Sequence, residues 1–399
     1  MAVLKLDEPR RRLPPGRPSW HAFTAIAFRP LYLAAALFGA LAIGAWVFGF
    51  NGGNALPGLI WHGHEMIWGY SGAVIVGFLL TAVATWTGQP PFSGWPLAML
   101  VSVWLAARIA AAVESGAPHF TALLSVGFFL AAAYALARPV WRTRNRRNSA
   151  IPVLLAVFGL ADGLFLLAVD GHLGVDPRRL LLAGLLIVAG FIAVIGLRVI
   201  PFFTHRALQQ PQVAHPRWAG LIAIIAPLIL AASVAYDPAT GLALPAGLLG
   251  MVFNLVLLAR NAQRGVLAHP LLWILFAGYA FTALGLGLAG ASITLAPRLL
   301  SAAVHLIAVG GIGVLTLGMM TRTALGHTGR ILRLPHSMLP AYLLMMLATL
   351  LRLAAAWPGG VFALELLQAA GTAFALSLLL FVMRYGHWLI STRADGLPG

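Results

Sequence analysis

Four residues carry most of the chemistry this sequence could perform. His62, His64 and Glu65 fall within four positions at the head of a long apolar run, residues 60–86, and His305 lies inside another, residues 298–320. Ionisable side chains at membrane depth are costly, and they serve a site or one another. Imidazole is the commonest protein ligand for transition metals. A carboxylate beside it can accept its second N–H or supply an oxygen ligand itself. The chemistry open to this set is ligation of copper or axial ligation of haem iron. The competing reading leaves His62 and His64 in the headgroup layer, bonded to water, and makes His305 a hydrogen-bonded core imidazole.

Helical spacing constrains the first three. His62 and Glu65 are three apart and share a face. His62 and His64 are two apart and diverge by about 200° on a regular helix. One ion cannot easily take both from such a helix. Either they serve separate centres, or the chain unwinds at Gly63 between them. The spacing assigns His62 with Glu65 to copper and His64 to haem or its pocket. His305 suits either, and the glycines after it suit a flat ring or plain helix packing.

A second polar set comprises Arg198, His205, Arg322, His327 and Arg330. Guanidinium forks suit anionic groups such as haem propionates. The plainer reading is the basic border on the inner side of a membrane protein. Asp162 and Asn254 sit within apolar runs, where interhelical hydrogen bonding is their expected use. Tyr70, two turns beyond His62, can donate a hydrogen bond inward.

These residues must be positioned by membrane helices. The chain has 399 residues, 60% of them hydrophobic and 9% charged, whereas an ordinary soluble domain is about a quarter charged. Apolar runs of about 20 residues, the length that crosses the hydrocarbon, recur throughout. The fold class is all-α, a polytopic membrane protein. Twelve spans are expected, near 30–50, 60–86, 94–113, 119–138, 150–169, 179–203, 217–235, 241–259, 270–292, 298–320, 338–356 and 360–382. Residues 1–28 form a basic arm, expected to be disordered, with Lys5, Arg10, Arg11, Arg12 and Arg17. Residues 29–390 form the membrane domain, and residues 391–399 a short tail.

Residues 1–20 lack the apolar core of a secretory signal. The chain contains no Cys, which excludes iron–sulfur ligation and covalent haem attachment. A haem would be of the b type, held by side chains such as His or Met. The net charge of +16 sits in loops, as topology signals and contacts to anionic lipid. No folded basic domain presents it to nucleic acid. No phosphate-cradling loop or Ser–His–Asp order is present, and no residue is assigned as catalytic.

Lys and Arg counts set the orientation. With the N-terminus inside, the inner segments hold 20 of the 26 Lys and Arg, and the outer loops hold only Arg178, Arg179 and Arg298. Arg108, Arg198 and Arg352 fall within spans. The asymmetry favours both termini in the cytoplasm. His62, His64, Glu65 and Glu365 then lie near the outer ends of their spans, with His305 about 10 Å down its own.

Five ordered motifs carry a resemblance. Phe28-Arg29-Pro30, Trp61-His62-x-His64-Glu65-Met66, Trp86-Thr87-Gly88-x-Pro90-Pro91-x-Ser93-Gly94-Trp95-Pro96, Arg198-Val199-Ile200-Pro201-Phe202-Phe203-Thr204 and Met320-Thr321-Arg322-x-x-Leu325-Gly326-His327-Thr328-Gly329-Arg330 resemble the NnrS family. The likeness runs from about residue 28 to the last span. Members of that family are twelve-span bacterial inner-membrane proteins that contain haem and copper. They are linked to the nitric-oxide response in denitrification and nitrosative stress. The resemblance implies the same location and cofactors here, with nitric oxide or a related small molecule as partner. The matched His positions carry over as candidate ligands. Two other classes stay open: a transporter of copper or a small anion, and an assembly or accessory factor for a respiratory nitric-oxide or nitrite reductase. A Soret band favours the first reading, substrate movement by a colourless protein the second, and co-purification with a reductase the third.

Overall fold

Proline and glycine punctuate the chain into long apolar helices. The computed structural model describes residues 16–237, 241–359 and 362–397. Lys5, Arg10, Arg11 and Arg12 of the basic arm, and the last two residues of the tail, lie outside the described residues. Eleven helices are long and apolar enough to cross a membrane. They are α1 (Phe28–Val47), α2 (Leu59–Thr87), α3 (Trp95–Val113), α4 (His119–Arg142), α5 (Arg146–Val169), α6 (Pro177–Leu208), α7 (Arg217–Tyr236), α9 (Pro270–Thr294), α10 (Pro297–His327), α11 (His336–Ala356) and α12 (Ala363–Ile390). The shorter α8 (Ala243–Ala259) has 17 residues and completes the expected twelve. Among the described residues there is no strand, only one isolated bridge between Pro18 and Ser391.

Local chemistry sets the helix ends. Asp176 caps α6 by accepting the Arg178 N–H at 2.9 Å, with Pro177 in the first turn, where its missing N–H is no loss. Gly88 ends α2 in the left-handed region, and two prolines follow. Four helices clearly outrun the expected spans: α4 continues to Arg142, α6 to Leu208, α10 to His327 and α12 to Ile390. Their last turns carry Thr, Arg and His, which remain helical beyond the apolar window that sequence hydropathy detects.

The long core helices are apolar on every side, as helices surrounded by other helices or lipid must be. The centre is α2, whose most apolar stretch is 78% buried. It packs against α1, α3, α4 and α6, while α12 returns to lie on α1 and α11. The two ends of the described chain meet. The Ser19 N–H donates to the Ile390 carbonyl at 3.0 Å, and the Thr392 N–H to that of Arg17 at 3.0 Å. Buried Arg29 ties the same place together by donating to the carbonyls of Leu389 and Ser391 at 3.1 and 2.6 Å. Both ends of the described chain therefore share one face of the bundle, as an even number of crossings requires.

Two helices depart from α geometry. Glu65–Ser71 of α2 and Leu306–Gly313 of α10 are π-helical. Such segments are rare and frequent at functional sites. Each begins directly after a candidate histidine, His64 or His305. The unwinding considered at Gly63 does not occur, because Leu59–His64 is regular helix. Gly63 instead lets α6 approach: a Cβ there would lie 2.4 Å from Leu181 Cδ2.

Candidate functional site

At the end of the bundle opposite the paired termini, α1, α2, α6, α10, α11 and α12 enclose a cavity of about 410 Å³. Its walls are mostly Leu, Ile, Val and Ala. The polar or soft groups include His62, Met66 and Tyr70 from α2, His305 from α10, Arg352 from α11 and Arg178 at the start of α6. The π-helix explains the first three. On an α-helix a residue eight positions on has drifted by about 80°. The wider turn of a π segment reduces that drift, so residues 62, 66 and 70 all line the cavity. Tyr70 closes its floor, its hydroxyl 2.7 Å from Thr316 Oγ1. That threonine donates its own proton to the Ile312 carbonyl at 2.7 Å, so Tyr70 is the donor.

The two histidines of this cavity are prepared differently. The His62 ring stacks on Trp46, centroids 4.8 Å apart and planes at 10°. Its Nδ1 is buried without a hydrogen-bond partner. The His305 Nδ1–H donates to the Ser301 carbonyl at 2.7 Å, which leaves the Nε2 lone pair free. A ligating histidine almost always anchors its other nitrogen in this way.

His64 points elsewhere. Its Nδ1 lies 2.7 Å from Glu65 Oε1 and its Nε2 3.0 Å from Asp162 Oδ1. Arg108 donates to the same Glu65 oxygen at 2.7 Å and to Ser125 Oγ at 3.1 Å. Ser125 in turn donates to Asp162 Oδ2 at 2.5 Å. These five residues, from α2, α3, α4 and α5, are all buried. Each ring nitrogen of His64 is thus within hydrogen-bond distance of a carboxylate oxygen. Gly69 makes the room: a Cβ there would lie 2.7 Å from Arg108 Nη1. The expected partnership of Glu65 with His62 is thus corrected. Glu65 turns to Arg108 and His64, because an unpaired guanidinium inside the bundle would cost more than an unpaired imidazole. His64 retains no free ring nitrogen for a metal.

The second polar set is dispersed at the other end. Arg198 donates to Asn148 Oδ1 at 2.6 Å and to the Arg147 carbonyl at 3.1 Å. Arg322 lies over the Phe203 ring at 3.8 Å, and His327 packs on Phe28 at 5.5 Å between centroids. His205 is exposed and bonded to the Gln210 carbonyl. Arg322 is 17 residues beyond His305, about 26 Å along the helix. Arg198, Arg322 and His327 do not line the histidine cavity. The guanidiniums that line the cavity are Arg352 and Arg178. Glu365 shares the cavity's end of the bundle but is exposed and does not line it.

Sequence reasoning missed several contributors. Arg108 was noticeable as a cation within a span, and it needs an acid at the same depth. Arg352 carried the same signal. Trp46 and Met66 carried none, since both read as ordinary apolar positions. Asp162 and Asn254 make interhelical bonds, as expected; Asn254 donates to the Ala223 carbonyl at 3.0 Å and accepts from Tyr279 at 2.5 Å.

The donor set fits an imidazole-held group. His62 and His305 line one cavity, and the Nδ1 of His62 is buried without a hydrogen-bond partner. A bare ion needs room for about one water, roughly 10–15 Å³, so this volume and its apolar walls suit a planar organic group. Among the described residues no cluster of three or more His, Cys, Asp or Glu could hold a metal ion. A copper ion would have to recruit Met66 with the two histidines.

One protein-family model, described as NnrS protein, matches residues 22–393. Among curated proteins nothing matches the chain.

Proposed function

The chain belongs to the NnrS family, and from that premise we propose that it binds a b-type haem between His62 and His305 and serves the bacterial response to nitric oxide. The observation that carries this reading is that His62 and His305 line one large, mostly apolar cavity, the His62 Nδ1 without a protein partner and the His305 Nδ1 anchored on the Ser301 carbonyl. A haem held by these imidazoles would supply an iron at which a neutral diatomic gas can bind only in place of one of them. The chain's own residues do the rest. Trp46 fixes the plane of His62 by stacking. The Ser301 carbonyl fixes the tautomer of His305. Arg352 and Arg178 offer guanidinium forks to carboxylates at the cavity's polar side. The Leu, Ile and Val walls exclude water and admit neutral molecules from the lipid.

The buried hydrogen-bonded cluster around His64 holds α2 in register against α3, α4 and α5 and so sets the direction of His62. Copper is a second occupant, supported by Met66 beside the two histidines. Thioether and imidazole together favour that metal. By the Lys and Arg asymmetry, we place the termini in the cytoplasm of a bacterial inner-membrane protein and the cavity toward the periplasm.

The test is the absorption spectrum of the purified protein before and after anaerobic addition of nitric oxide. The expected result is a Soret band that shifts on addition. A colourless protein that moves copper or a small anion across liposomes would replace this reading with transport.

A further inference from the structure

A second cavity lies about midway along α2, α6 and α10, beyond Tyr70 from the histidines. Its volume is about 100 Å³, and α1 and α9 complete its walls. Protein interiors leave few voids larger than a water molecule, so a void of this size needs an account. Its walls are chiefly Val, Ile, Leu and Phe, and no charged residue lines it among the described residues. The polar side chains that reach it are the hydroxyls of Tyr32, Ser71, Tyr279 and Thr316. Each is engaged with the protein. Thr316 donates to the Ile312 carbonyl at 2.7 Å, and Tyr279 to Asn254 Oδ1 at 2.5 Å. Ser71 donates to the Ile67 carbonyl, and Tyr32 has Thr323 within hydrogen-bond reach. A buried water needs two to four polar partners, and an apolar cavity without them stays dry.

The chemistry such a space accepts is narrow. An ion would find no counter-charge there, and a polar molecule no free donor. Volume sets an upper limit. An apolar cavity of about 150 Å³ takes benzene or xenon, so this smaller one takes a molecule of a few heavy atoms. A lipid acyl chain exceeds it. We propose that this chamber binds a small, neutral, apolar molecule of the size of a diatomic gas, of the kind that dissolves in the surrounding hydrocarbon. The two cavities are neighbours. Ile312 lines both, and Tyr70, on the wall of one, donates to Thr316, on the wall of the other, at 2.7 Å. A gas held in the chamber is thus one hydrogen-bonded pair of side chains away from the histidine cavity. That position bears on the haem reading, but the binding site itself does not rest on it.

The test uses the full chain in detergent, labelled at Ile and Leu methyl groups, with dissolved xenon and dioxygen as separate probes. The methyls of Ile192 and Leu315, which line the chamber, are compared with those of Ile109, exposed on α3. Xenon is expected to shift the chamber signals saturably, and the Ile109 signal only in proportion to its concentration. Dioxygen, a paramagnetic diatomic, is expected to speed the relaxation of the chamber methyls more than that of Ile109. Val199→Phe and Ile195→Phe each place a ring against the chamber and are expected to abolish the saturable shift. If neither variant folds, competition in the wild type decides: saturating xenon is expected to suppress the dioxygen effect at the chamber methyls. Shifts that never saturate, shifts unchanged in both folded variants, or Overhauser contacts from water or detergent chains to these methyls overturn the proposal. None of these readings needs haem, so a colourless protein would remove the haem reading and leave this one to its own result.

Discussion

His64 uses both ring nitrogens on carboxylates; His62, two positions earlier, uses neither for a protein partner. That contrast is the basis of the separate roles proposed for them. Removing one partner from a buried charge cluster leaves the others uncompensated. Arg108→Met or Glu65→Gln is therefore expected to cost about 3–5 kcal/mol, read by denaturation in detergent. A stability equal to wild type would mean that the cluster is not held as described. A milder effect belongs to the strap near the C-terminus, outside the spans. Arg393 donates to both Asp395 oxygens, at 2.9 and 2.7 Å, and holds that carboxyl down from the ordinary 3.8 to about 2. A carboxyl with a depressed folded value stabilises above its unfolded value and loses that contribution as pH falls toward the folded one. The strap, anchored by the Ala394 N–H on the Thr328 carbonyl at 3.1 Å, is expected to loosen between pH 3.8 and about 2. Asp395→Asn removes this dependence. Hydrogen exchange at Ala394 checks both, and an unchanged profile in the variant counts against the pairing. The divergence of His62 and His64 was legible in their spacing. The choice of Glu65 between them was not, because it depends on Arg108, 43 positions away.

The elements that aim these residues depend on two features with unequal sequence signals. Both π segments turn side chains that an α-helix would scatter, and residue types alone do not announce them. Glycine close contacts are more visible. Gly247 of α8 faces Gly290 of α9 so closely that a Cβ on Gly247 would lie 2.6 Å from the Leu286 carbonyl and 2.8 Å from Gly290 Cα. Both obstacles are backbone and cannot rotate away. This is the small-residue packing that brings membrane helices together, and it seats the shortest span, α8. Gly247→Ala is expected to destabilise by about 1–3 kcal/mol through overpacking. Gly127→Ala, with nothing within 4 Å of the added carbon, serves as the neutral or mildly stabilising control in α4. Equal effects from both would remove the close contact from the account. Span boundaries were legible wherever hydropathy ended with Pro or Gly, and failed where polar turns prolonged α4, α6, α10 and α12.

The whole molecule presents two chemically distinct ends. One holds the paired termini and most of the arginines; the other holds the histidine cavity. Eleven helices long and apolar enough to cross a membrane, the shorter α8, and the shared face of the described ends fit the expected alternation of basic and neutral loops, so most of the architecture was legible from composition. The proposed membrane orientation rests on the same asymmetry. Reporter fusions at Asn145 and Gly174 check it. Periplasmic phosphatase is expected to be active only at Gly174, and activity at Asn145 would invert the molecule. The cavity itself was not legible, because six helices from across the chain build it and most of its walls are ordinary apolar residues. The most direct test of the central claim is the haem-to-protein ratio of purified wild type, His62→Ala, His305→Ala and His64→Ala, each measured on folded, monodisperse protein. Wild type is expected near stoichiometric. His62→Ala and His305→Ala are expected to fall about tenfold or more, the effect of losing a direct ligand to iron. His64→Ala is expected to be less stable yet to keep its haem per folded molecule. Full haem in both cavity variants, or loss in His64→Ala alone, would contradict the assignment.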